Sequence, residues 1–184
     1  MSYATWDYWT YRDYIPHYIC DELIKNHNNF DHGTLRGGTI DEDMRRSGVC
    51  WINSSFWINL FFDIILRANQ ESELNYNIVG MEDLQLTRYV APDGHYDFHI
   101  DGDGHTRKNV DDNVRKLSMS CLLTDPKEFE GGKFQCQNGG EPYDVELNKG
   151  DIVVFPSYTL HRVSPVTKGE RYSLVAWANG KAFT

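Results

Sequence analysis

From about residue 80 the chain breaks into short runs rich in Val, Ile, Leu, Phe and Tyr, separated by glycine-bearing turns. The turns carry Gly80, Gly94, Gly104, the Gly131-Gly132 pair, Asn138-Gly139-Gly140, Asn148-Lys149-Gly150 and Gly169. Between them lie Leu84–Val90, His95–Ile100, Leu117–Leu123, Lys133–Cys136, Asp144–Leu147, Asp151–Phe155, His161–Ser164 and Arg171–Ala178. Runs this short, bounded by turn residues and uninterrupted by a helical period, predict an antiparallel sandwich or barrel.

The first third reads differently. After Pro16, Ile19-Cys20-Asp21-Glu22-Leu23-Ile24 fits a short amphipathic helix. Ser54 or Ser55 can cap a second helix with apolar residues at Trp57, Leu60, Phe61, Ile64 and Ile65. Ile58, Phe62 and Leu66 widen its stripe, which predicts a well-buried scaffold helix laid across a sheet. The aromatic start (Tyr3, Trp6, Tyr8, Trp9, Tyr11, Tyr14) is expected to pack into the core, with a short strand at Trp6–Tyr8. Residues 28–48 are polar and read as a loop with short strands, in which Arg45 and Arg46 are solvated or paired. The expected architecture is one mainly β domain over 1–184. Residues 1–79 give helical support, and residues 80–184 form a jelly-roll core.

Charge and composition narrow the function classes. A net charge of -9 argues against a protein that lives on nucleic-acid backbones, which demand clustered Lys and Arg. Cys20, Cys50, Cys121 and Cys136 show no paired metal spacing and read as buried thiols of a reducing compartment. The N-terminus has no basic region followed by an apolar run, and the most apolar stretch, Phe56–Leu66, is too short to span a bilayer. A soluble cytoplasmic protein without nucleic-acid or membrane partners is the expectation.

The chemistry gathers in Tyr89–Asp101. Residues two apart on a strand project to the same side, so His99 and Asp101 can grip one ion. His95 and Asp97 have the same spacing on the same strand, and periodicity does not choose between the pairs. His99 and Asp101 are preferred because Gly102-Asp103-Gly104 follows at once, which puts them at a strand end. His161 is the candidate third ligand. Two imidazoles and one carboxylate suit non-haem Fe(II) and leave open coordination positions. Arg171, ten residues beyond His161, can hold the far carboxylate of a keto acid through two parallel hydrogen bonds.

The joint pattern carries more than any one piece. Tyr89-x6-Tyr96-x2-His99-x-Asp101, Arg115-x2-Ser118, Glu130-Gly131-Gly132, Lys149-Gly150-Asp151-x3-Phe155, His161 and Arg171-x5-Trp177 resemble the Fe(II)- and 2-oxoglutarate-dependent oxygenases of the prolyl 4-hydroxylase-like family. The resemblance covers about residues 84–178. It implies a double-stranded β-helix, a jelly-roll variant, with His99, Asp101 and His161 as iron ligands. Arg171 would pair with the distal carboxylate of 2-oxoglutarate, helped by Ser173. Tyr89 and Trp177 would line the cosubstrate pocket. Fe(II), 2-oxoglutarate and O2, with ascorbate as a further cofactor, are implied together with succinate and CO2 as products. Leu122 stands where many members carry a tyrosine bonded to the cosubstrate, as in the bacterial branch of small iron-dependent hydroxylases; Ser173 or Tyr89 can replace that bond. Gly102–Val114, with Arg107 and Lys108, is expected to be a mobile loop beside the iron. The implied substrate is a prolyl residue in a peptide or protein, with a free amino acid or other small molecule as the alternative. A metal-binding jelly roll without catalysis would leave Arg171 no role, and the net charge disfavours a nucleic-acid demethylase.

Overall fold

The computed structural model describes residues 2–4, 7–35, 38–102 and 113–183. Trp6, Arg107, Lys108 and most of the Gly102–Val114 segment lie outside the described residues. The chain opens with β1 (Ser2–Ala4), β2 (Trp9–Tyr11), α1 (His17–Asn26), β3 (Asp31–His32), β4 (Arg45–Arg46) and β5 (Gly48–Ile52). Helix α2 (Ser55–Glu71) leads into β6 (Ile78–Met81), β7 (Leu84–Val90), β8 (Gly94–His99) and β9 (Asn113–Leu122). Then come β10 (Phe129–Gly131), β11 (Phe134–Gln137), β12 (Tyr143–Asp144), β13 (Ile152–Pro156) and the long β14 (Leu160–Lys181).

Two antiparallel layers share β14. Its second half joins the larger sheet, ordered β1-β2-β13-β9-β14-β7-β5-β3. Its first half pairs with β8, β10 and β11, and β4 and β12 extend that smaller sheet. The result is the double-stranded β-helix expected for this pattern, with both helices packed on the larger sheet.

The two-residue period of a strand divides that sheet's side chains into two sets. Leu174, Ala176 and Ala178 of β14 join Leu84, Leu86, Leu117, Met119, Ile152 and Val154 in one core. Phe61, Ile64, Ile65 and Ala68 of α2 and Leu23 of α1 cover it. The opposite set, including Tyr89, Leu122, Val153 and Phe155, packs between the sheets with Phe134 and Val163.

Residues before 80 supply strands as well as helices: β2 pairs with β13, β4 with β8 and β5 with β7. The expected Trp6–Tyr8 strand begins outside the described residues, and the N-terminal strand pair they show is Ser2–Ala4 with Trp9–Tyr11. Asp151 fixes its end: the buried carboxylate accepts the Asp13 backbone N–H at 2.7 Å and Arg12 Nη1 at 2.8 Å. Helix α2 buries a narrower stripe than expected, leaving Leu60 38% and Leu66 37% exposed. Phe61, Ile64, Ile65 and Ala68 fall at the i, i+3, i+4, i+7 positions that meet the sheet, and Leu60 and Leu66 sit outside that arc.

His95 ties the turn before β4 to β8. Its Nδ1 lies 2.7 Å from the Asp93 carbonyl and its Nε2 2.9 Å from the Asp43 carbonyl. Carbonyls only accept, so both ring nitrogens must carry protons, which is the imidazolium form. Burial alone would lower the His95 pKa, but the two carbonyl bonds and the Asp93 carboxylate raise it above the usual histidine value. A raised folded pKa stabilises fully below about pH 6.5 and loses that contribution as pH rises through the folded value. His95→Ala should therefore lower the melting temperature more at about pH 5.5 than at about pH 8.5, a difference thermal denaturation at the two pH values reads directly. Leu174→Ala empties a fully buried site against both α2 and the sheet. It should cost about 2–5 kcal/mol of unfolding free energy in urea titration.

Candidate metal centre

A bulge decides which His-x-Asp pair can act. On β8 and β14, Val163 pairs with Tyr96 and His161 with His99, so three steps on β8 face two on β14. The extra residue reverses the alternation within β8. Tyr96 and His99, which a regular strand would send to opposite faces, instead stack with ring centroids 3.5 Å apart. His95 keeps the other face, in the clasp described above. Asp97 is consumed locally: its Oδ1 accepts the Phe98 N–H at 2.8 Å. The premise that residues 95, 97, 99 and 101 share a face fails at this bulge.

His99, Asp101 and His161 come together, with one potential ligand atom from each lying within 4.8 Å of the others. His99 Nδ1 donates to the Asp97 carbonyl at 2.7 Å, and His161 Nδ1 donates to the Thr159 carbonyl at 2.9 Å. Those bonds fix the protons on Nδ1 and leave both Nε2 lone pairs facing the carboxylate. His99 Nε2 is 3.7 Å from Asp101 Oδ1, and His161 Nε2 is 3.7 Å from Asp101 Oδ2. Phe134 and Phe155 pack against the His161 ring at centroid distances of 5.6 and 4.7 Å.

The electrostatics suit a cation. Burial, and then the neighbouring His161, push the His99 pKa down to about 3, which keeps its ring neutral. Burial alone would raise the Asp101 pKa, but His161, His99, Arg115 and the Ser118 hydroxyl together hold it at about 2. A neutral imidazole and an ionised carboxylate are the forms that bind metal. Asp101 Oδ2 is buried without a hydrogen-bond partner. An unsatisfied carboxylate oxygen between two imidazole lone pairs fits Fe(II), for which two imidazoles and one carboxylate are a suitable donor set.

The triad opens into a cavity of about 270 Å³ whose walls include Tyr89, Ser173 and Trp177. Arg171 lies behind that wall, not on it, and borders a smaller cavity beside Leu122. It is 1% exposed and has no carboxylate partner among the described residues. Arg171 Nη1 donates to Ser173 Oγ at 3.1 Å, and its guanidinium carbon is 5.6 Å from the Tyr89 ring centroid. Burial lowers its pKa. The Gly131-Gly132 pair makes room for it. A Cβ on Gly132 would come within 2.9 Å of Arg171 Cδ, and one on Gly131 (φ 76°) within 2.2 Å of the Pro165 carbonyl oxygen. Leu122 is buried and pairs with Ser173 across the strands, so an apolar side chain stands beside the hydroxyl. Arg115 stacks 3.8 Å from the Trp177 ring centroid and pairs with Glu82, while the Trp177 indole N–H is buried without a partner.

Sequence reasoning missed Arg45. It is 7% exposed and lines the cavity. It donates to Gln85 Oε1 and Ser47 Oγ at 2.8 Å each and to the Thr34 carbonyl at 3.1 Å, and it lies over the Tyr96 ring. Its neighbours Gln85 and Thr87 offered a signal. They alternate with Leu84 and Leu86 as if facing solvent, although they face the cavity.

The family model for the 2OG-Fe(II) oxygenase superfamily matches residues 84–179. A PKHD-type hydroxylase of Pseudomonas fluorescens is 39% identical over 85 residues, which is 46% of this chain and 38% of that relative. The matched stretch thus spans well under half of the relative's length. In structure, the chain is similar to a prolyl hydroxylase from Trichoplax adhaerens in complex with a hypoxia inducible factor peptide (TM-score 0.73, 17% identity, 94% and 83% of the two chains covered). It is similar also to a Pseudomonas putida prolyl-4-hydroxylase (TM-score 0.72, 21% identity, 96% and 94% covered). The chain belongs to the 2OG-Fe(II) oxygenase superfamily, whose chemistry uses Fe(II), 2-oxoglutarate and O2, and its fold is that of the prolyl 4-hydroxylases.

Proposed function

We propose that this protein is an Fe(II)- and 2-oxoglutarate-dependent dioxygenase that hydroxylates an unactivated C–H bond, with a prolyl residue of a peptide or protein as substrate. The observation that carries the reading is the pairing of two unsatisfied charges in one interior. The Asp101 carboxylate faces two imidazole lone pairs, and the buried Arg171 guanidinium has no carboxylate partner among the described residues. One group asks for a cation and the other for an anion. A metal-binding module without catalysis accounts for the first and not the second.

In this reading His99 Nε2, His161 Nε2 and an Asp101 oxygen hold the iron, and Tyr89, Ser173, Arg171 and Trp177 form the cosubstrate end. Fe(II), when bound with 2-oxoglutarate, supplies oxidative decarboxylation by O2, giving succinate, CO2 and a hydroxylated product. The chain's own residues hold and orient. The Asp97 and Thr159 carbonyls keep both imidazoles in the ligating tautomer. Arg171 and Ser173 receive the distal carboxylate, and the apolar surround of Leu122 and Phe134 strengthens that pairing by excluding water. No side chain has to act as a general base. Residues 1–79 serve as support and residues 80–184 as the catalytic core. The peptide captured by the Trichoplax enzyme supports a peptidyl substrate here.

His161→Ala should abolish Fe(II)-dependent succinate formation while circular dichroism and melting temperature stay near those of the parent; unchanged turnover would remove His161 from the site. Arg171→Ala should weaken 2-oxoglutarate binding by about 10- to 100-fold, the loss of a charge-assisted pair, while Fe(II) affinity changes by less than about twofold. Equal loss of both affinities in calorimetry would argue for collapse of the interior. Incubating proline-containing peptides with the complete system and looking for a mass gain of one oxygen tests the substrate class.

A further inference from the structure

Asp101 lies beyond the end of β8, where no strand ladder holds it. Its backbone is held by one residue of another strand's end. The Ser157 carbonyl accepts the N–H of Asp101 at 2.9 Å and that of Gly102 at 3.0 Å. Ser157 follows β13 directly, and its own N–H donates to the Lys116 carbonyl of β9 at 3.0 Å. The side chains close a second link. Ser157 Oγ and Ser118 Oγ are 2.9 Å apart, and both residues are fully buried.

From this geometry we infer that Ser118 and Ser157 form a positioning pair that aims the Asp101 carboxylate at the metal position. The inference rests on the proposed iron site and goes beyond it by naming residues that touch neither metal nor substrate. A carboxylate ligand can rotate about its last bond, and a buried one with a free oxygen has several ways to fail. The hydroxyl bond between Ser118 and Ser157 ties the end of β13 to β9 at the residue whose carbonyl holds the Asp101 backbone. The Ser157 carbonyl meanwhile fixes the backbone from which the carboxylate hangs. The two restraints arrive from β9 and β13, adjacent strands of the larger sheet, so the ligand inherits that sheet's rigidity.

The test uses the complete chain and Co(II) as the probe, read by its visible absorption and by calorimetry without any turnover. Ser118→Ala and Ser157→Ala each break the hydroxyl link and are each expected to weaken Co(II) binding by about 10- to 100-fold. The melting temperature of each metal-free variant should stay near that of the parent. Co(II) binding that His161→Ala abolishes but both serine variants leave within about twofold overturns the inference while the metal site stands. A loss of affinity accompanied by loss of cooperative unfolding in the metal-free protein marks a merely structural role and overturns it too. Absence of any His161-dependent Co(II) binding in the parent overturns the site reading and the inference together.

Discussion

The larger sheet is buried on both faces, and the two faces meet different demands. On the helix side the requirement is volume, met by Leu84, Leu86, Leu117, Met119, Ile152 and Leu174 under Phe61 and Ile65. On the inner side the same strands present Gln85, Thr87, Ser118, Ser120, Arg171 and Ser173, all buried. An interior with this much polarity is stable only if its groups satisfy one another or a ligand satisfies them. The apolar face makes the polar one tolerable, because packing against α1 and α2 holds the strands in register whatever the inner face contains.

The inner groups fall into two kinds. Arg45 is met by Gln85, Ser47 and a backbone carbonyl, and Arg115 by Glu82, so these cations are already accommodated. Arg171 and Asp101 are not. Arg171 has a hydroxyl for a partner, and Asp101 has two imidazoles beside it, of which burial keeps His99 neutral. Opposite charges left incomplete at two places in one interior support the proposal that a cation and a dianion complete them. That is what distinguishes a catalytic jelly roll from a merely folded one.

Much of this was written in the local sequence. Short runs between glycine turns were enough for the sheet architecture, and the spacing from Tyr89 to Trp177 was enough for the family. What the sequence concealed depends on long-range pairing. Nothing in Gly94–His99 announces the bulge that separates His95 from His99, since a bulge is defined by the partner strand as much as by its own residues. Arg45 looked like a surface cation because its partners, Gln85 and Tyr96, are distant in sequence. Leu60 and Leu66 looked buried because a helical period shows which residues share a face and not how wide a sheet will cover it. The serine pair behind Asp101 was half visible: Ser118 sits in a recognisable spacing, while Ser157 became meaningful only once β13 was laid beside β9.

Strand β14 carries His161 in the smaller sheet and Arg171, Ser173 and Trp177 in the larger one. In the proposed reading, the separation between the metal position and the keto acid's far carboxylate is therefore set by one continuous strand. It behaves as a fixed gauge for the length of the acid that can bridge the two ends. Adding or removing one residue between 162 and 170 would do more than change that length. Unless the bulge that β14 already carries between Val163 and Val166 absorbed the change, it would turn Arg171 out toward the helices and bring an apolar neighbour into its place.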